Sequence, residues 1–182
     1  MKILLIILGV LLLLVVFVLH KIIGWKNLWN RPRPKFKVPT KKLAPKEWDA
    51  QKVTVGWVGH STVLINLYGY TILTDPVFSK RVGMHLGWTN LGIKRHTAPA
   101  IDLEDLGRVD LILLSHAHMD HMDICSLKRL AHPETEVVTA KGTSHLLKRM
   151  PFRKVYELGD QEQISLDMGV TITAVPVKHW GN

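Results

Sequence analysis

The chain has 182 residues, with 24 Lys and Arg against 15 Asp and Glu and a single cysteine. That length accommodates one ordinary domain, and a lone Cys125 excludes a disulfide framework. The formal net charge of +9 points superficially to nucleic acid, but all of it lies in residues 1–52, where eleven basic side chains face only Glu47 and Asp49. Residues 53–182 hold thirteen side chains of each sign, so the folded part is neutral and no nucleic-acid partner is expected.

The first segment is an unbroken apolar run of 17 residues, Ile3 to Leu19. No small-residue cleavage site follows it, so an uncleaved, single-pass N-terminal membrane anchor over residues 1–24 is the expectation. Only Lys2 precedes the run, whereas Lys21, Lys26, Arg31, Arg33 and Lys35 follow it. The positive-inside rule then puts the domain on the cytoplasmic face of the membrane. Residues 25–52, basic and rich in proline, read as an extended linker lying against anionic headgroups.

From Val53 the pattern becomes strand-like: VTVGWVG at 53–59, STVLINLY at 61–68, a turn at Gly69 and YTILTD at 70–75. Residues 76–100 carry five glycines and prolines and read as a long loop. Asp102 is placed to cap a short helix over LEDL, and VDLILL at 109–114 is a continuous apolar run suited to a buried strand. A helix from about Asp123 to Ala131, a strand at Glu136–Thr139, a helix over Gly142–Met150 and strands near 154–158, 163–166 and 170–177 complete the order. A meander followed by alternating strands and helices predicts α/β layers on a mixed sheet.

One residue beyond the apolar run stands SHAHMDHMD, in which His116, His118, Asp120 and His121 fit His-x-His-x-Asp-His. Imidazole nitrogens and a carboxylate are ligands for zinc and similar metals, and a loop at a strand's end can turn alternate side chains toward one point. His116 and His118 can grip one ion while Asp120 and His121 face a second. Two such ions generate a nucleophile at neutral pH and stabilise charge on an attacked phosphoryl or acyl centre.

SHAHMDHMD after an apolar strand resembles the signature of the metallo-β-lactamase fold, an αββα sandwich with its metals at one edge of the sheets. GWVGHSTVLI at 56–65, TDPVFSKR at 74–81, the block from Arg95 to Asp123 and VPVKHWGN at 175–182 are similar to the branch containing N-acyl-phosphatidylethanolamine-hydrolysing phospholipase D. The resemblance implies two zinc ions: His116, His118 and His179 on the first, Asp120 and His121 on the second, with Asp120 also the candidate catalytic carboxylate. It implies that Asp75, ending TDP, supports the metal loop from outside the ligand set, and that His60 in GHST lies in the neighbourhood of the site.

The implied function is that of a zinc-dependent phosphodiesterase, converting N-acylated phosphatidylethanolamine at a membrane into phosphatidic acid and an N-acylethanolamine. Hydrolysis of a soluble lactone or sugar phosphate, and a non-catalytic relic, are the alternatives. The family's binuclear site also uses an aspartate and a histidine after the third histidine, yet only Trp180, Gly181 and Asn182 follow His179. Residues 53–182 correspond to little more than the first half of the sandwich. The expectation is a partial metallo-β-lactamase domain, truncated at its C-terminus, which alone has little hydrolase activity and a weakened second metal site.

Overall fold

Alternation of apolar side chains with period two builds a sheet with two different faces. The computed structural model describes residues 2–22, 35–87 and 90–178. Six strands form one mixed sheet: β1 (Val53–Gly59), β2 (Thr62–Leu67), β3 (Tyr70–Thr74), β6 (Leu111–Leu114), β7 (Glu136–Ala140) and β8 (Lys154–Leu158), in that spatial order. The first three are antiparallel neighbours, and β3, β6, β7 and β8 run parallel.

Leu64, Leu73, Ile112 and Val137 point to one face, where Ile101, Leu106, Leu127 and Leu147 pack on them. Those covering residues come from α2 (Leu103–Leu106), α3 (Ile124–Leu130) and neighbouring turns. Ile72, Leu111 and Val138 point to the other face, covered by Leu166, Ile164 and Ile172 of a ribbon made by β9 (Gln163–Ser165) and β10 (Thr171–Thr173). Strand β6 lies between parallel neighbours and meets both clusters, which is why its sequence is apolar without alternation.

The N-terminal segment corrects the expectation of a membrane anchor. Helix α1 runs from Lys2 to Ile22, and its side chains from Leu5 to Leu19 are exposed. Among the described residues, no helix is long and apolar enough to cross a membrane. The 17-residue apolar run spans about 26 Å at ~1.5 Å per residue, short of a hydrocarbon core of ~30 Å. The single-pass topology of the fold prediction falls with it, and so does the membrane localisation with a cytoplasmic domain, because the positive-inside argument requires a span.

Residues 1–35 and 36–182 form two compact units. Residues 25–34 of the expected linker lie outside the described residues. The rest of it joins the second unit: Lys37 bridges Thr97, and the Leu43 amide donates to the Ala100 carbonyl at 2.8 Å. Leu43 and Trp48 pack over Gly56, where a Cβ would lie 2.7 Å from Leu43 and 3.0 Å from Trp48. Two apolar side chains seated on one glycine leave no periodic signal, and the segment therefore reads as linker.

Two further elements differ from expectation. The 76–100 loop contains a ribbon, β4 (Arg81–His85) paired antiparallel with β5 (Asn90–Lys94). The helix expected over 142–150 is a single 3-10 turn, Ser144–Leu147, whose Ser144 amide donates to Glu157 at 2.6 Å. The Ser144 hydroxyl first, then that amide and other amides of the same turn, hold the Glu157 carboxyl down to about 2.

Ile112, fully buried at the centre of the sheet, supplies a stability test. Ile112→Ala is expected to lower the unfolding free energy by about 2–5 kcal/mol in urea titrations, with the metal-binding residues left unchanged.

Candidate metal centre

The parallel strands β3 and β6 end side by side, and the site is built on the loops that leave them. Asp75 follows β3 with φ 35°, a left-handed backbone that aspartate tolerates better than most residues. Its side chain is buried at 6% exposure, and both oxygens are engaged. Oδ1 accepts the Ser115 amide at 2.8 Å, and Oδ2 accepts the Ser115 hydroxyl at 2.7 Å and His121 Nδ1 at 2.8 Å. One carboxylate therefore fastens the first residue after β6 to a histidine of the metal motif.

This network orients two imidazoles. A carboxylate oxygen accepts, so His121 donates from Nδ1 and turns Nε2 toward Asp120. The Ser115 hydroxyl has donated to Asp75, so it accepts from His116 Nδ1 at 2.9 Å. His116 then also presents Nε2, an atom shielded from solvent. Orientation of one ring nitrogen by a hydrogen bond, leaving the other for a ligand, is how metal-binding histidines are held.

The loop itself is a tight turn, with the amides of His121 and Met122 both donating to the His118 carbonyl at 2.9 and 2.8 Å. It gathers the imidazoles: the His116 ring centroid lies 4.6 Å from that of His118 and 4.1 Å from that of His121. His121 Nε2 faces Asp120 Oδ2 at 3.7 Å. A proton on His121 Nε2 makes this an ion pair; with the proton on Nδ1 alone, both atoms are acceptors and together offer a cation two ligands. Ligands at ~2.0–2.1 Å on a tetrahedral ion are separated by about 3.4 Å, close to that spacing.

His60, Asp120 and His121 offer ligand atoms within 4.8 Å of one another. The residues thus fit a metal on two counts, the donor set and the spacing of its ligand atoms. Burial pushes the Asp120 carboxyl up, but its own backbone amide, His121 and His60 outweigh this and hold it below the usual range. The carboxylate is therefore ionised at neutral pH, as a ligand must be.

The site residues expected from sequence are distributed as follows. His116, His118, Asp120 and His121 share one loop; Asp75 lies directly behind it, and His60 beside Asp120 at 3.3 Å. His179 lies outside the described residues.

Sequence reasoning passed over Ser115, Asp123 and the β4–β5 ribbon. Asp123 is 2% exposed and caps α3 by accepting the Cys125 amide. It also accepts from Ser79 at 3.1 Å, Ser126 at 2.5 Å and Asn90 at 2.8 Å, so it anchors the ribbon to the helix after the metal loop. Its available signal was the Asp-x-x-Ser spacing at a helix start, Asp123 to Ser126. Cys125 touches His85 Nδ1 at 3.1 Å, and burial and the nearby Asp123 push its thiol up. His85 is held there with Lys128 on its other nitrogen at 2.9 Å.

A cleft of about 950 Å³ opens beside the metal loop. His60 and Asp120 line it together with Trp57, Val82, Ile93 and Met119. Trp57, Ile93 and Met119 are 67%, 77% and 48% exposed, an unusual concentration of large apolar side chains. Lys94 and Arg95 supply its positive charge. Arg95 is held in place by the Thr97 carbonyl at 3.2 Å and by the Val77 carbonyl. The ribbon that supplies Val82 and Ile93 depends on Gly83 and Gly92, which face each other across it. A Cβ on Gly92 would fall 1.9 Å from the Val82 carbonyl oxygen.

A family model described as a beta-lactamase superfamily domain matches residues 70–182, and the chain belongs to that superfamily. It is 31% identical over 151 residues to an uncharacterized protein of Mycobacterium bovis, covering 81% of this chain and 40% of that protein. It is 31% identical over 135 residues to the N-acyl-phosphatidylethanolamine-hydrolyzing phospholipase D 1 of Caenorhabditis elegans, covering 69% of this chain and 37% of the relative. Among solved structures, the diiron beta-hydroxylase CmlA of Streptomyces venezuelae matches with a TM-score of 0.52 and 28% identity, over 69% of this chain and 24% of that one. The chain spans about two fifths of the length of these curated relatives. The resemblance read from four sequence blocks holds, since a phospholipase D of that type is among the relatives; hydroxylase chemistry also occurs among them.

Asp75→Asn keeps a residue tolerant of the left-handed turn but replaces an acceptor by a donor facing Ser115 or His121. Its affinity for a divalent metal ion, measured by chelator competition, is expected to fall about 10- to 100-fold, with the circular dichroism spectrum retained.

Proposed function

We propose that this protein is a zinc-dependent hydrolase of phospholipase D type, acting on the phosphodiester of N-acyl-phosphatidylethanolamine-like lipids. The observation that carries this reading is the apolar cleft lined also by Lys94, Arg95, His60 and Asp120. A lactone or sugar phosphate has no long apolar part to occupy Trp57, Ile93 and Met119, whereas an acyl chain does. Each methylene withdrawn from water there contributes about 0.8 kcal/mol.

In this reading His116, His118 and His179 hold one ion, and Asp120 and His121 hold the other. When bound, such ions lower the pKa of a water toward neutrality and stabilise negative charge at an attacked phosphorus. The chain's own residues supply position and field. Asp75 holds the His121 ring and, through Ser115, the His116 ring, so their nitrogens need not reorganise as charge develops. Lys94 and Arg95 face the phosphate's charge from the cleft, and the apolar wall seats an acyl chain so that the phosphodiester stands at the metal loop. Hydrolysis adds water at phosphorus and breaks the bond to the ethanolamine oxygen, releasing the N-acylethanolamine and leaving phosphatidic acid.

The test compares turnover of N-acyl-phosphatidylethanolamine in mixed micelles with turnover of small lactones by the zinc-loaded protein. Release of N-acylethanolamine with lactones untouched is the expected result; the reverse preference would sink the proposal. Ile93→Asp, at a position 77% exposed and so without cost to folding, is expected to lower turnover of long-chain substrates about tenfold, through loss of roughly two methylene contacts. Short-chain analogues are expected to be affected far less.

A further inference from the structure

His60 sits at the turn between β1 and β2 with φ 55°, a left-handed conformation uncommon for a side chain of its size. Gly59 before it, at φ 134°, is also positive. The turn is held by the Trp57 indole, which donates to the His60 carbonyl at 2.8 Å, and by the Ser61 hydroxyl, which reaches the Asp120 carbonyl at 3.5 Å. A strained residue that its surroundings hold in place calls for a reason at the side chain. Here the imidazole reaches across 60 residues of sequence to Asp120, placing Nε2 at 3.3 Å from Oδ2.

The same carboxylate oxygen is faced by His121 Nε2 at 3.7 Å, and the two imidazoles differ in what they can do. The Asp75 contact at 2.8 Å uses the Nδ1 proton of His121, and in the neutral ring, the form that binds a metal, Nε2 is then a lone pair. The ring of His60 lies 5.5 Å from that of His121, at 60° to it, and its Nε2 is the nitrogen within hydrogen-bond reach of Oδ2. A proton on that nitrogen turns the approach into an attractive contact. Asp120 itself stands at the rim of the cleft, in a turn that provides no other side-chain donor to its carboxylate among the hydrogen bonds of the described residues.

We infer that His60 is a positioning residue for the second metal ion: it donates Nε2–H to Asp120 Oδ2 and fixes the carboxylate in the orientation that faces His121. Asp75 does this for the imidazole ligands from behind the loop, and His60 does it for the carboxylate from the cleft side. The left-handed turn at residue 60 is the device that brings the ring there. This inference rests on the metal-centre reading of Asp120 and His121.

The test uses cobalt(II) titration of the protein, following the absorption bands of each bound ion. His60→Asn keeps a residue that accepts a left-handed turn but has a side chain too short to reach Asp120, while His60→Gln extends an amide donor over nearly the original distance. His60→Asn is expected to weaken the second binding step about 10- to 100-fold and to shift that ion's absorption bands, with the first step unchanged. His60→Gln is expected to recover most of the affinity. Equal affinity in wild type and His60→Asn overturns the inference while leaving the metal centre intact. Equal weakening of both steps, or failure of His60→Gln to recover affinity, also overturns it. Wild-type protein that takes up no second ion removes the metal-centre reading itself, and the inference with it.

Discussion

The carboxylate of Asp75 is the joint on which the site depends. It ends one parallel strand, receives the first residue after its neighbour, and holds a histidine of the metal loop, all through hydrogen bonds of 2.7–2.8 Å. Loops leaving adjacent parallel strands would otherwise be set only by their own turns. Because a carboxylate oxygen accepts, it also engages Nδ1 of His121 as a donor and, through Ser115, orients the ring of His116. The sheet thus transmits its rigidity to the metal loop through one side chain, and the conformational cost at φ 35° is borne where the surrounding structure is densest.

Behind that joint the two faces of the sheet are not equivalent. One carries the larger cluster, closed by α2, α3 and the segment around Leu43 and Trp48. The other is covered by the short β9–β10 ribbon, with Tyr156, Leu158 and Leu113 only partly buried. The metal loop sits at the strand ends between these layers, where ligand sites of open α/β sheets lie outside the carboxyl ends of parallel strands.

The metal motif and β1–β3 with β6 were legible because each rests on a strong local rule. Alternation marks β2, an unbroken apolar run marks a strand buried on both sides, and His116, His118, Asp120 and His121 crowd a chemistry into six residues. Asp75 and His60 were legible only through resemblance, since nothing local separates TDP or GHST from an ordinary turn. The ribbon β4–β5 was not legible. Its pairing relies on facing glycines and on Asn90 held by a buried Asp123, and glycine and asparagine are residues that ordinarily signal a loop. The N-terminal helix shows the opposite failure, in which apolar composition was clear while the length of the run fell short of its assigned role.

The anchoring of the β4–β5 ribbon by Asp123 separates two tasks that share one cleft. The ribbon hydrogen-bonds to α3 through Asn90 and is otherwise absent from the six-stranded sheet. Its exposed side chains, Ile93 above all, form a wall that contributes no ligand and bears no weight of the core. Such a wall is a free variable in the history of a protein: its length and composition can drift toward new substrates while the joint at Asp75 keeps the chemistry unchanged.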